Sequence, residues 1–470
     1  MAPRILRREK MLEKIFKLKE NNTTARTEII AGLTTFMTMA YIIALNPNLL
    51  TGFGKDTMPE LWNGVFLATC IASAIGTIVM AFLANRPFAM APGMGLNSFF
   101  AVVVTNIVAL TGMTYVASFQ AALCIVLVEG IVFLILSVLN IREKIVDAIP
   151  LGVRLGIAPA IGLMLLNIGV GSNAGIYSEN GGPFYAMRDF FGALTPSLAK
   201  TNMGSGYSAM VLSVVTMFVG LFAIVVLAQR GVKGAVLLGM LISSIIYWAG
   251  EAIFLGTNPF ASLATASFVP AFGDMASTTL FKFNFQGFAQ IGWFTAITLI
   301  VTFCIIDMLD KDGKMPNMKQ ALLSDAVGTL AGSVTGTSTV TTFVESASGV
   351  EAGGRTGLTA LTTGIMFLAC IFIAPIAGII PAAATSSALI YVGVLMVAGL
   401  KNVDFDDICQ ALPVALMMIA IPISGSIGHA IGIGLITYTV IKVFTGKAKD
   451  VSVLTYVLSL IFLLKFFIVA

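Results

Sequence analysis

TSTVTTFVESASG (337–349) interrupts a long apolar stretch with a carboxylate, Glu345, cushioned by small hydroxylated residues. Its β-branched Thr/Val run disfavours helix and suits an extended strand, so a helix is expected to begin only near Thr342–Glu345. A second stretch breaks the helical pattern in a corresponding place. RPFAMAPGMGLNSFF (86–100) carries Pro87, Pro92, Gly93 and Gly95, which cannot sustain regular helix from its start. There a helix can begin near Gly95–Asn97. Irregular backbone at membrane depth survives only where it lines a cavity or is buried in protein. The two segments therefore predict short strands leading into half-helices whose first N–H groups point at a ligand.

The chain around them supports a membrane setting. Of 470 residues, 57% are hydrophobic and 11% charged, against about 25% charged in a soluble domain. About 20 apolar residues span a bilayer as a helix. Windows of that kind fall near 27–49, 62–84, 88–108, 116–139, 148–170, 208–228, 233–255, 288–307, 320–335, 338–353, 356–379, 382–400, 407–424 and 427–445. Segments 171–207 and 256–287 read as outside loops. The apolar run 450–470 is either a further span or a surface helix. With a cytoplasmic N-terminus, the inside connections hold Arg86, Arg142, Lys144, Arg230, Lys233, Lys311 to Lys319, Arg355, Lys401, Lys447 and Lys449, as the positive-inside rule requires. The basic, amphipathic segment 1–26 lacks a signal-peptide pattern and reads as lying on the cytoplasmic membrane surface. A cell-membrane, multi-pass protein is expected.

An internal repeat appears across these spans. IPLGVRLGIAPAIGLMLLNIG opens at Ile149–Pro150, and IPAAATSSALIYVGVLMVAGL opens at Ile380–Pro381. Gly162 and Gly393 each follow their proline by twelve residues. Upstream, EGIVFLI (129–135) resembles TGIMFLA (363–369). Two seven-span halves with odd parity would have opposite orientations, the inverted-repeat plan of secondary transporters. The expectation is an all-α polytopic protein of 14 transmembrane segments in a 7+7 inverted repeat, with short strands in spans 3 and 10.

Several polar residues could carry chemistry there. Asn97 both donates and accepts, which suits the edge of a planar heterocycle, although the same residue also suits a helix cap. Glu345 and Asp307 are ionisable groups in apolar spans, where a carboxylate can carry a proton. Asp310 would share a helical face with Asp307, but DKDGK also reads as solvated loop. Glu129 reads as a helix-packing or ion-pair residue, and His429 as structural. Phe99, Phe100 and Phe343 could flank a flat ligand, and equally fit core packing. No Lys or Arg is placed near Asn97 or Glu345, which argues for a neutral polar ligand. No basic face with interleaved aromatics marks a nucleic-acid surface. Five single cysteines and one histidine support neither a metal site nor a cofactor. Neither G-x-G-D nor H-E-x-x-H occurs, so an intramembrane hydrolase finds no motif.

TEIIAGLTTFMTMAYIIALNP (27–47), APGMGLNSFF (91–100), GTSTVTTFVESASGVEAGGRTGLT (336–359) and IPAAATSSALIYVG (380–393) resemble the AzgA-like purine permeases. These are proton-coupled importers of adenine, guanine and hypoxanthine in the nucleobase–cation symporter superfamily. The resemblance implies a core domain of 27–140 and 288–379, and a gate domain of 141–287 and 380–449. By analogy, a homodimer would form through the gate. Motif match puts the substrate-contacting Asn on Asn97, a functional Gly on Gly95, the tenth-span Glu on Glu345 and the first eighth-span Asp on Asp307. Thr342, Phe99 and Phe343 complete the expected substrate set, and Asp307, Glu345 and Asp310 the proton-coupling set. One departure stands out. The family's D-x-F-D-T-x-G-T is followed by more helix, whereas TFCIIDM here runs straight into LDKDGKMPNMK. About four helical turns are absent, and Asp310 matches the loop aspartate of the family. The alternative reading is a same-fold carrier of uracil, xanthine or an anion, impaired by the shortened span.

Overall fold

The computed structural model describes residues 11–139, 142–173, 207–264, 266–309, 317–424 and 426–468. Its principal elements in the first half are α1 (Ala25–Met39), α2 (Ile42–Leu50), α3 (Pro59–Val79), β1 (Met90–Pro92), α4 (Met94–Thr111), α5 (Tyr115–Val138), α6 (Leu151–Ile168), α7 (Tyr207–Gln229) and α8 (Ala235–Gly250). In the second half they are α9 (Trp293–Leu309), α10 (Met318–Thr335), β2 (Val340–Thr342), α11 (Ser346–Glu351), α12 (Gly357–Ala369), α13 (Ala382–Val397), α14 (Ile408–Ser424), α15 (Ile427–Phe444) and α16 (Val453–Ile468). Among the described residues, ten helical segments are long and apolar enough to cross a membrane; α9, α14 and α16 are shorter apolar helices. Large apolar side chains such as Phe222, Ile245 and Phe254 lie exposed on the outside. A soluble monomer would not tolerate so much exposed apolar surface, and lipid would cover it. The chain is a multi-pass membrane protein.

The two irregular stretches meet as expected. β1 and β2 pair antiparallel, with Met90 opposite Thr342, Ala91 opposite Thr341 and Pro92 opposite Val340. Both edges of this small ribbon are covered, as a buried edge must be. Thr77 of α3 donates to the Met90 carbonyl and accepts from its N–H (3.0 and 2.8 Å). On the other side Thr329 of α10 reaches the Val340 carbonyl (3.4 Å). Gly336 ends α10 with φ 103°, and a Cβ there would meet Thr279 at 2.1 Å. Only glycine allows this turn into β2.

The two segments matched in sequence, 149–169 and 380–400, pack against each other. Pro150 and Pro381 precede α6 and α13 with the same extended backbone. Where these helices cross, a Cβ on Gly162 would meet the Gly393 carbonyl at 2.6 Å, and one on Gly393 would meet the Gly162 carbonyl at 2.8 Å. The two repeat-matched glycines touch each other, a close small-residue crossing of the kind that joins helices in membranes.

Three details differ from expectation. The first span is broken at Ala40–Tyr41, with no Gly or Pro at the break to announce it. The helix after β2 is only six residues long, so it is a turn and a half rather than a half-span. Segment 256–287 is not plain loop: it holds the helices Phe272–Thr278 and Phe285–Gln290, and Thr278 and Thr279 are buried. Gly64 of α3 and Gly336 have no side chains, and that leaves room for these threonines. Most of 171–207, and the connection 310–316 with Asp310, lie outside the described residues.

Candidate substrate and proton site

The ladder sorts the expected site residues to its two ends. At one end β1 leads into α4. Asn97, in the first turn of α4, is fully buried. Its Nδ2 donates to the Pro92 carbonyl (3.0 Å) and its Oδ1 accepts from Ser338 Oγ. Gly93 N–H donates to the Thr339 carbonyl (3.2 Å). Asn97 thus ties its own helix to β1 and to the approach of β2. Gly95 keeps the α4–α6 contact close, since a Cβ there would meet Ile161 at 2.8 Å. Asn46 of α2 adds bonds to Thr69 and Thr337 (2.8 and 2.9 Å).

At the other end β2 leads into α11. Glu345 is half-buried and accepts a 2.7 Å hydrogen bond from the Tyr41 hydroxyl. Ser348 Oγ donates to the Glu345 carbonyl (2.7 Å) and lies 2.9 Å from Thr38 Oγ1. Thr342 donates to Asp325 of α10 (3.0 Å). An open cavity of about 410 Å³ adjoins this end, lined in part by Phe88, Thr342, Phe343, Ser346 and Glu351. Its volume is in the range of small-molecule sites. A larger groove of about 660 Å³ beside Trp248 and Phe260 has no ionisable side chain in its lining.

Some expectations need correcting. Asn97 and Glu345 stand at opposite ends of the ladder and do not converge on one open pocket in this form. Phe99 and Phe100 are core residues: Phe99 packs on Phe303 (4.6 Å between centroids) and Phe100 on Phe119 (5.1 Å). Phe343, by contrast, lines the cavity of about 410 Å³.

The largest change concerns Glu129. It is fully buried on α5. Its electrostatic neighbour is Asp307 of α9, itself fully buried. Its Oε2 accepts from Thr339 (2.8 Å), the residue just before β2. A carboxylate that acts on Asp307 thus comes from another helix, α5. Tyr41, Asn46 and Asp325 are further site residues that sequence reasoning did not single out. Asp325 sits in an unremarkable helical pattern, and the break that places Tyr41 carries no sequence mark.

The Permease family pattern matches residues 26–203 and 200–433. The chain belongs to this family. Two relatives are similar along nearly the whole length of this permease. It is 37% identical over 462 residues to the adenine permease AdeP of Escherichia coli (strain K12), covering 97% of this chain and 96% of AdeP. It is 36% identical over 463 residues to the guanine/hypoxanthine permease PbuO of Bacillus subtilis (strain 168), covering 97% of this chain and 100% of PbuO. Among solved structures, the transmembrane domain of the cyanobacterial bicarbonate transporter BicA superposes with a TM-score of 0.56 at 16% identity, covering 86% of this chain and 97% of that one. That likeness concerns the fold of the permease alone. These similarities assign it to transporters of nucleobase-permease type rather than to enzymes.

Proposed function

We propose that this permease imports purine nucleobases together with protons by alternating access. One observation carries the reading: two strands from the two halves pair antiparallel, and buried or half-buried carboxylates stand where they lead into helix. Near-full-length similarity to adenine and guanine/hypoxanthine permeases supports a purine as cargo. The contact of Gly162 with Gly393 supports the 7+7 inverted repeat of 14 spans, with core and gate domains as bounded above. In this reading the N-terminus is cytoplasmic, the membrane is the cell membrane, and a homodimer forms through the gate.

The proposed roles follow from the chemistry. A base edge exchanges for the Ser338 hydroxyl at Asn97, which can both donate and accept. Gly95, Thr342 and Phe343 shape the space around it. Glu345 accepts a ring N–H, and Asp307 and Glu345 respond to protons. The test is equilibrium binding and proteoliposome uptake of labelled hypoxanthine by the full chain, at two pH values, with adenine, guanine, xanthine and uracil as competitors. Purines should compete and an inward proton gradient should accelerate uptake. Competition by uracil alone, or no binding of any base, would overturn the assignment.

A further inference from the structure

The start of α15 and the end of α16 bring polar groups together away from the strand ladder. Lys465, in the last turn of α16, is 7% exposed. Its ammonium lies 3.7 Å from the point that a Cβ on Gly428 would occupy. Gly428 is the second residue of α15. Among the described residues Lys465 makes no ion pair and no hydrogen bond. Neither α15 nor α16 contains an Asp or Glu.

The other groups at this point are donors too. Ser426 caps α15: its Oγ accepts from the His429 N–H (3.4 Å) and keeps its own proton to give. The N–H groups of Ile427 and Gly428 belong to the first turn, where no helix carbonyl can accept from them. Both residues are buried, and among the described residues no other acceptor meets these two groups. The His429 ring packs on Phe466, 5.5 Å between centroids, so it brings no negative charge to the amine. Thr302 of α9 walls the far side, with its hydroxyl committed to the Thr298 carbonyl (2.7 Å).

A buried ammonium without a counter-charge is costly, and buried N–H groups without acceptors add to the cost. One anion with several oxygens answers both. It accepts from the ammonium and from the helix start, where the dipole also favours negative charge. The surroundings supply such oxygens. Ser424, beside the cap, is exposed, and Leu463, Leu464 and Phe467 of α16 present an apolar face to lipid. A lysine near the end of a membrane helix reaches toward the interface, where lipid phosphates lie. The geometry points to a phosphate-binding site made by Lys465, the Ser426 hydroxyl and the N–H groups of Ile427 and Gly428. The bound phosphate ties α16 to α15. Gly428 has to lack a side chain, because a Cβ would stand beside the amine and 3.3 Å from Thr302 Oγ1. This site is independent of which cargo the permease carries.

The test is the thermal unfolding midpoint of the full chain in uncharged detergent, with inorganic phosphate replacing gluconate at constant pH and ionic strength. Each further tenfold of phosphate, about one step above its Kd, should raise the wild-type midpoint by an equal increment. Lys465→Met should start higher without phosphate, since the unpaired charge is gone, and should not respond to it. Lys465→Arg should keep the response, and Gly428→Ala should need several-fold more phosphate. Lys442→Met, which removes an ammonium paired with Asp450 (3.5 Å), should respond like the wild type. Native mass spectrometry of the same preparations separates the two sources of phosphate. A phospholipid retained by the wild type and lost in Lys465→Met makes the ligand a lipid headgroup; a response to inorganic phosphate without retained lipid makes it the free ion. Three results would overturn the site: neither response nor retained lipid in the wild type, an equal response in Lys465→Met, or chloride acting as strongly as phosphate.

Discussion

At the residue scale, buried carboxylates in this permease have two distinct uses. Glu28 of α1 is structural. It is fully buried and accepts from the backbone N–H groups of Arg355, Thr356 and Thr359 and from the hydroxyls of Thr356 and Thr359, between 2.6 and 3.3 Å. It therefore caps the start of α12 from another helix, where the helix dipole also favours an anion. Glu28→Ala strands several donors at once and should destabilise the protein by about 3 kcal/mol or more, read as a fall in the thermal unfolding midpoint in detergent. Glu345 is different, because it is only half-buried and its Oε1 accepts from the hydroxyl of Tyr41 (2.7 Å). Tyr41→Phe removes a charge-assisted hydrogen bond worth about 1.5–3 kcal/mol and should lower uptake about tenfold or more. Glu345→Gln should abolish the response of uptake to a proton gradient. Normal gradient-driven uptake by that variant would make Glu345 a structural residue too. The sequence marks Glu345 because its charge stands in an apolar run. It marks Glu129 equally well, but its partner could not be read, since α5 and α9 are brought together only by the fold.

At the scale of elements, strand and helix starts were legible because local chemistry decides them. Pro92 and Gly93 stop helix before Met94, and the Thr/Val run of 337–342 prefers extended backbone. The break between α1 and α2 was not legible, because tertiary contacts and not a helix breaker hold Tyr41 against Glu345. The α6–α13 crossing offers a sharp test. A side chain on either repeat-matched glycine would press on a backbone carbonyl that cannot rotate away. Gly162→Val or Gly393→Val should therefore cost about 1–3 kcal/mol or prevent the helices from closing, seen as a lower unfolding midpoint. An equal substitution at Gly112, where nothing lies within 4 Å, tests positive-φ strain without contact and should cost less than the crossing variants.

At the scale of the whole molecule, α16 follows the last of the expected spans. Its Thr455, Leu458, Phe462 and Lys465 are buried, while Leu460, Leu463, Leu464 and Phe467 are exposed. A helix with one packed face and one apolar exposed face suits lipid rather than the membrane surface. Lys465 is 7% exposed, and the Gly428 position, itself against Thr302 of α9, lies next to its amine. Among the described residues no acidic partner faces this ammonium, and a buried unpaired charge is a cost to folding, so Lys465→Met should raise the unfolding midpoint, by an amount equivalent to about 1 kcal/mol or more. A lower midpoint would mean that the amine has a function in the assembled bundle. By itself the sequence determined the membrane setting, most of the helix and strand segments and the family, because hydropathy, backbone propensity and motif all act within short windows of chain. Only the tertiary structure decided which carboxylates share a neighbourhood, because Glu129, Asp307 and Thr339 lie far apart in the chain and electrostatics depends on distance in space.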